Sequence, residues 1–207
     1  IPEEIIKKFN FGIFGMHCSY LKLPNGKGRS PINWSIIRGY KHLYAQIIKY
    51  TSKYDDGPIV YFEKIKIYNY ESINDIQKKL ALFFISYLNN FKINKKIKFK
   101  IKRKTKKLIE FKKRNEYSGQ IILGNHCGKS FCDFIRAQSH PYPGAYFLYG
   151  KKKFIIDDAK IFYNEGKLKL LNKKFHIFQD KTFIFKLKNK YIFVSKHRIK
   201  DKNLKNE

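Results

Sequence analysis

Acidic side chains are scarce in this sequence: 16 Asp and Glu stand against 45 Lys and Arg in 207 residues, a formal charge of +29. Such an excess attracts polyanions, but charge speaks to association and not to fold. Lysine far outnumbers arginine, and Asn, Ile, Phe and Tyr are abundant, as AT-rich coding would write them. A functional basic surface and compositional drift therefore stay equally open. Cysteine is rare as well. Cys18, Cys127 and Cys132 are odd in number and lack framework spacing, which argues against a disulfide scaffold and for free thiols in a reducing, cytoplasmic compartment. Long apolar runs are missing because lysines interrupt each one, so no segment reaches the roughly 20 residues that span a bilayer, and no membrane partner is expected. The opening IPEEIIKKFNFGIFGMH has no basic stretch ahead of an unbroken apolar one, unlike a signal peptide. It starts at Ile1 rather than Met, and an upstream segment is expected.

What is present divides into two small domains, each long enough for its own core. FGIFGMH, residues 11–17, is short, apolar and glycine-interrupted, as expected of a buried strand that ends at a site. The loop LKLPNGKGRSP follows. Ser30 then precedes Pro31, an N-cap with proline in the first helical position, and the short helix INWSIIRG ends at Gly39. Residues 44–50 and 59–68 read as strands joined by the turn-rich SKYDDGP. Between Ser72 and Phe91, Ile76, Leu80, Phe83, Phe84, Tyr87 and Leu88 recur at three- and four-residue steps and predict a helix. From Lys92 to Arg114 there are 13 basic residues and one acid, Glu110. Ile93, Ile97, Phe99 and Ile101 alternate there, which fits a linker flanking an edge strand whose lysines discourage edge pairing. The remainder is mostly short alternating runs, GKKKFIIDDAKIFY, GKLKLL, FHIF, KTFIFKLK and KYIFVSK, as in a small antiparallel barrel. One helix near CGKSFCDFIRAQ interrupts them.

Three features in the first 60 residues bear on chemistry: His17 at the end of an apolar strand, the basic glycine loop through Arg29, and the acids Asp55 and Asp56 before Gly57-Pro58. A histidine and a carboxylate emerging from neighbouring strand ends make an acid–base pair that can act on an oxygen gaining charge. Taken alone, DDGP is more often a plain turn. His126, Cys127, Cys132 and His140 do not have zinc-finger spacing, so no metal is expected. Cys18 neighbours His17, but adjacent strand residues face opposite ways and a thiol nucleophile working with His17 is disfavoured.

HCSYLKLPNGKGRSPINWSIIRG resembles the formyltransferase pattern in which histidine is followed by a Ser-Leu-Leu-Pro stretch, a Gly-Arg-Gly loop, a proline and a short helix. YDDGPIVYFEKIKI is similar to the same family's catalytic aspartate loop, Asp-x-Gly-Pro-Ile-Ile. FIRAQSHPYPGAYF resembles the start of the C-terminal domain of methionyl-tRNA and amino-sugar formyltransferases. The resemblance implies an α/β fold: the C-terminal half of a catalytic domain, with a partial Rossmann-like formyltransferase sheet and helices, over residues 1–92; a basic linker over 93–114; and a small antiparallel, OB-like β-barrel over 115–207. It implies transfer of a formyl group from 10-formyltetrahydrofolate to a primary amine without a metal. His17 would be the catalytic histidine that stabilises the formyl oxygen, and Asp55 the catalytic aspartate that orients the ring and helps remove the amine proton. Thr51, Ser52, Lys53, Tyr54 and Asp56 match the loop that wraps the folate pteridine. Arg29 and Gly15 fall at substrate-binding positions. Gly15 is a departure, since relatives usually carry Asn there, whose amide helps to hold the formyl oxygen, although some read Gly-Met-His. The loop after His17 is also longer by two residues. The amine belongs to a nucleotide-linked amino sugar or to methionyl-tRNA. GRSPINW and HPYPGAYF are nearer the amino-sugar enzymes, while the basic stretch would suit tRNA. A rival reading is a non-catalytic RNA-binding protein, for which Gly15 and the missing upstream half speak.

Overall fold

The computed structural model describes residues 1–90, 108–122, 128–162, 175–178, 182–187 and 190–201. The alternating residues Ile93 to Ile101, the pair His126–Cys127 and the run GKLKLL lie outside them. The chain forms two compact units, one of residues 1–35, 40–71 and 75–114, the other of 36–39, 72–74 and 115–207.

The first unit is built on three strands, β1 (Phe14–Ser19), β3 (His42–Lys49) and β4 (Ile59–Lys66), with β3 in the middle. β3 alternates only weakly in sequence because both its faces are covered: Leu43, Ala45, Ile47 and Ile48 are all buried. A Rossmann-like sheet would be parallel, yet β1 and β4 both run antiparallel to β3. For β4 the cause is plain. Residues 50–58 are too few for a parallel crossover, which takes a dozen or more. The two-residue β2 (Lys27–Gly28) pairs in parallel with β5 (Glu110–Phe111). The stretch that reads as a linker therefore contributes a strand to this unit.

Helix α2 (Pro31–Ile37) starts at proline as expected. Ser30 ahead of it has φ 56°, in the left-handed region rather than the extended one usual for a cap. The helix stops where the chain composition says it should. The Gly39 amide donates to the Ile36 carbonyl at 2.8 Å and the Tyr40 amide to the Ser35 carbonyl at 3.1 Å, a Schellman closure with Gly39 left-handed. Helix α3 (Ile73–Asn90) buries Ile73, Ile76 and Leu80, and Tyr61 of β4 stacks on Phe83 and Tyr87 with centroids 6.1 and 5.1 Å away. Leu88, placed on the apolar stripe by periodicity, is exposed. Among the described residues no helix is long and apolar enough to cross a membrane. The short helix α1 (Glu3–Ile6) buries nothing.

The second unit is a five-stranded antiparallel sheet in the order β6 (Ala145–Tyr149), β7 (Lys152–Phe162), β10 (Lys190–Asp201), β9 (Phe183–Leu187), β8 (Phe175–Ile177). Irregular pairing on both sides of Lys196 bends β10. Among the described residues β6 and β8 form the two edges of this sheet. Helix α4 (Gly128–Arg136) lays Phe131, Phe134 and Ile135 on a core that includes Phe147, Phe154, Phe183, Ile192 and Val194. Phe147 and Phe154 stack at 4.9 Å, and Phe183 meets Phe147 edge-on at 5.8 Å. Asp133 is buried on the same helix with Arg136, whose Nε donates to it at 2.8 Å, and Lys129 as partners. Packing at Phe131 sets the stability of this unit. Phe131→Ala is expected to cost about 3–5 kcal/mol in urea unfolding, against less than about 0.5 kcal/mol for Leu82→Ala at an exposed position; equal costs would contradict the assigned core.

Candidate active site

His17 lies inside β1 rather than at its end, directly across from Gln46 of β3. It is buried, and its neighbours supply what a buried imidazole requires. Gln46, fully buried, accepts from the Leu23 amide at 2.9 Å and donates to the Leu21 carbonyl at 3.2 Å, which staples the loop after β1 onto the central strand. That loop returns the Gly26 carbonyl to within 3.0 Å of His17 Nε2. On the other side of the ring, Nδ1 stands 3.5 Å from Asp55 Oδ1, an ion-pair distance rather than a short hydrogen bond. Both ring nitrogens thus face acceptor oxygens. As placed, the ring is held between these two oxygens.

Asp55 is held in an uncommon backbone conformation, φ 47°, of a kind that costs on the order of 1 kcal/mol or more and persists where surroundings over-determine it. Here they do so. Its Oδ2 accepts from the Gly28 amide at 3.3 Å while Oδ1 faces His17. Burial pushes the carboxyl up, but contact with the His17 ring, the Gly28 amide and the nearby Lys27 charge outweigh it, and the group is held below its usual value. Gly57 explains the motif that follows. A side chain there would overlap the Lys49 carbonyl oxygen and stand 2.6 Å from its carbon, so only glycine lets the loop close against β3.

Asp56, the neighbouring acid, turns to a different partner: Lys27 Nζ donates to its Oδ1 at 2.8 Å. Lys27 is buried and belongs to the basic glycine loop through Arg29, where the GKGR spelling places a base between two glycines. The segment 108–111 was missed. The Gly26 amide donates to the Ile109 carbonyl at 2.7 Å, the Ile109 amide to Asn25 Oδ1 at 3.0 Å, and the Arg29 amide to the Phe111 carbonyl at 3.3 Å. Gly28, at φ 105°, lies against the Phe111 backbone, where a Cβ would come within 2.9 Å of its nitrogen. An alternating reading of a basic stretch carries no signal for this buttress. Arg29 joins through its backbone while the residue itself is exposed.

Of the remaining loop, Ser52, Lys53 and Tyr54 are exposed and Thr51 is half-buried with its hydroxyl donating to the Lys53 carbonyl at 3.2 Å. Tyr54 donates to the carboxylate of Glu110 at 3.3 Å. Gly15 is buried on the same face of β1 as His17, and a side chain there would overlap the hydroxyl and Cζ of Tyr50. Tyr50 is the other residue that motif reading passed over. Cys18 points away from His17, and burial, against a hydrogen bond with the Gln46 backbone, pushes its thiol up to about 12, which removes it as a nucleophile.

Residues 1–85 match the protein family described as Formyl transferase. The bifunctional polymyxin resistance protein ArnA of Wigglesworthia glossinidia brevipalpis is 30% identical over 174 residues, covering 81% of this chain and 25% of ArnA. Methionyl-tRNA formyltransferase of Prochlorococcus marinus (strain MIT 9215) is 33% identical over 108 residues, 49% of this chain and 32% of the enzyme. The chain therefore spans about a quarter to a third of the length of these relatives. In fold it is similar to the N-formyltransferase from Helicobacter canadensis, solved with folinic acid and dTDP-3-aminofucose, at a TM-score of 0.64 and 16% identity over 88% of this chain and 65% of that one. The motif match, the curated relatives and the shared fold agree: residues 1–85 of the chain are similar to the formyl transferase family.

Proposed function

We propose that the protein transfers a formyl group from 10-formyltetrahydrofolate to a primary amine in the cytoplasm, with the His17–Asp55 pair at the reacting centre. The observation that carries this reading is the 3.5 Å approach of the two groups, with the Asp55 side chain a quarter exposed and the ring buried behind it. A reactant can reach the carboxylate but not the imidazole. Asp55 is thus the catalytic residue, and His17 a positioning residue held between Asp55 and the Gly26 carbonyl. The exposed residues Ser52, Lys53 and Tyr54, with Thr51 and Asp56, border the carboxylate and would take the folate.

In the transfer the amine lone pair forms the new C–N bond while the carbonyl pair moves onto oxygen. The amine gives up its proton to Asp55, and collapse breaks the bond to the folate nitrogen, which leaves with its pair and takes that proton from Asp55, so the carboxylate is regenerated. Held ionised by Lys27, His17 and the Gly28 amide, Asp55 is ready to accept it. No step needs a metal. We take the acceptor to be a nucleotide-linked amino sugar, as the motif wording and the complex of the Helicobacter canadensis neighbour support. Methionyl-tRNA is the second acceptor, supported by the relatives from Prochlorococcus marinus. The division into 1–92, 93–114 and 115–207 and an OB-like C-terminal domain belong to the same proposal. A tRNA acceptor would show a rate falling steeply with salt, whereas a sugar nucleotide would not.

With the full-length protein, 10-formyltetrahydrofolate and either acceptor, mass spectrometry of the amine product should show Asp55→Asn slower by about 10²–10⁴-fold with unchanged circular dichroism. A rate within threefold of the parent would remove Asp55 from the chemistry. RNA binding unaffected by His17→Ala, with no formyl product from any amine, would instead favour the non-catalytic reading.

The Asp55 carboxyl also links stability to pH. Because its folded value lies below the ordinary 3.8, the stability it contributes is complete above that value and is lost as pH falls through the lower folded one. The gap in urea midpoint between the parent and Asp55→Asn is therefore expected to be constant from neutrality to about pH 5 and to close below about pH 4. A gap that persists undiminished to pH 2 would contradict the pairing.

A further inference from the structure

Acyl transfer builds negative charge on the formyl oxygen, and a hydrogen-bond donor aimed at that oxygen is commonly the largest single contribution to rate. The His17–Asp55 site has few donors left for it. His17 Nε2 faces the Gly26 carbonyl and Nδ1 faces Asp55. Lys27 Nζ donates to Asp56, and the Gly28 amide to Asp55. Asp55 itself, being ionised, can only accept.

One donor beside them is differently placed. Tyr50 follows β3, with its amide held by the Ile13 carbonyl at 2.7 Å and its ring packed on Leu23, Ile48 and Ile59. From there the phenol reaches across β1 and lies on Gly15, its hydroxyl and Cζ occupying the volume where a side chain at position 15 would stand. Residues 15 and 17 share one face of the strand, roughly 6.6 Å apart along it. The hydroxyl is thus set on the face of β1 that carries the histidine, and among the described residues it meets no hydrogen-bond partner. The ring's packing holds it there. A donor fixed before the reactant arrives needs no reorganisation when charge develops.

We propose that Tyr50 is a catalytic residue whose hydroxyl donates to the formyl oxygen, and that Gly15 is glycine because the phenol fills its side-chain space. This rests on the formyl-transfer reading above and assigns the donor that reading leaves open. The carbonyl π pair moves onto oxygen as the amine attacks, the Tyr50 O–H shortens its hydrogen bond to that oxygen without giving up its proton, and the bond relaxes when the C–N bond to folate breaks.

The test compares the parent full-length protein with Tyr50→Phe, which keeps the ring and its packing. The reactants are 10-formyltetrahydrofolate with a dTDP-linked amino sugar or methionyl-tRNA, and folinic acid affinity is measured by calorimetry. The expected result is a kcat lower by on the order of 10²-fold with folinic acid affinity within twofold. A kcat within threefold of the parent would overturn the assignment of Tyr50 and leave the proposed function standing, as would equal losses of kcat and folinic acid affinity, the mark of a merely structural role. No product from the parent with either acceptor would overturn both. A second pair checks the shared volume: Tyr50→Ala combined with Gly15→Asn should recover at least tenfold over Tyr50→Ala alone, since the amide re-enters the same place. No recovery would refute the claim that the two positions serve one site.

Discussion

The carbonyl of Gly26, the ring of His17 and the carboxylate of Asp55 form one chain of polar contacts, and the geometry of the first unit is arranged around it. A buried imidazole without partners would cost several kcal/mol. β1 can carry His17 at an interior position only because two loops converge on it. The loop after β1 is drawn in by Gln46 of β3, and the β3–β4 loop is drawn in by Gly57 against Lys49. Neither loop would adopt its path alone. Gly28 needs φ 105° and Asp55 φ 47°, and each is held by contact with the other, the Gly28 amide donating to the Asp55 carboxylate. Glycine takes its angle without cost, and the strain at Asp55 is offset by one hydrogen bond and by the contact with the ring.

The pair of acids shows how neighbouring side chains of one type take separate duties. Asp55 faces the ring, and Asp56 faces Lys27. Lys27 then acts twice: it pairs with Asp56 directly, and its charge helps keep Asp55 ionised. In a chain with so great an excess of lysine, one buried lysine near two carboxylates separates an electrostatic device from a solvated surface. Burial is the distinguishing mark. A long side chain loses rotamer freedom and hydration when it is enclosed, and a close carboxylate offsets both.

The sequence was readable where local rules decide the outcome. Pro31 opens α2 and Gly39 ends it, Ile76 and Leu80 define the inner face of α3, and the alternating runs 152–162 and 183–187 are strands. His17 and Asp55 were picked by motif, and their proximity follows from the pairing of β1 with β3. What could not be read depends on contacts remote along the chain. Phe111 and Ile109 buttress the site loop across more than 80 residues, and their signal is a short interruption in a basic stretch. Tyr50 is one aromatic among 15 tyrosines. Only the placement of its ring on Gly15 separates it from a packing residue. The antiparallel run of β4 against β3 is also set by a length, since the loop at 50–58 is too short for a parallel crossover.

Rigidity gives these details a common meaning. Catalysis by positioned dipoles requires that donors and acceptors be fixed before charge moves, since any reorganisation is subtracted from the gain. Asp55 has a forced backbone angle and two partners, His17 has both nitrogens engaged, and Tyr50 is packed on three apolar side chains. The mobile element in such a site has to be the reactant. Exposure falls in the same order, with Ser52, Lys53 and Tyr54 open, Asp55 partly covered and His17 enclosed. Under the proposed formyl transfer, a molecule approaching along that gradient would meet the exposed loop side chains first and the carboxylate last, which would place binding and chemistry at different depths of one loop.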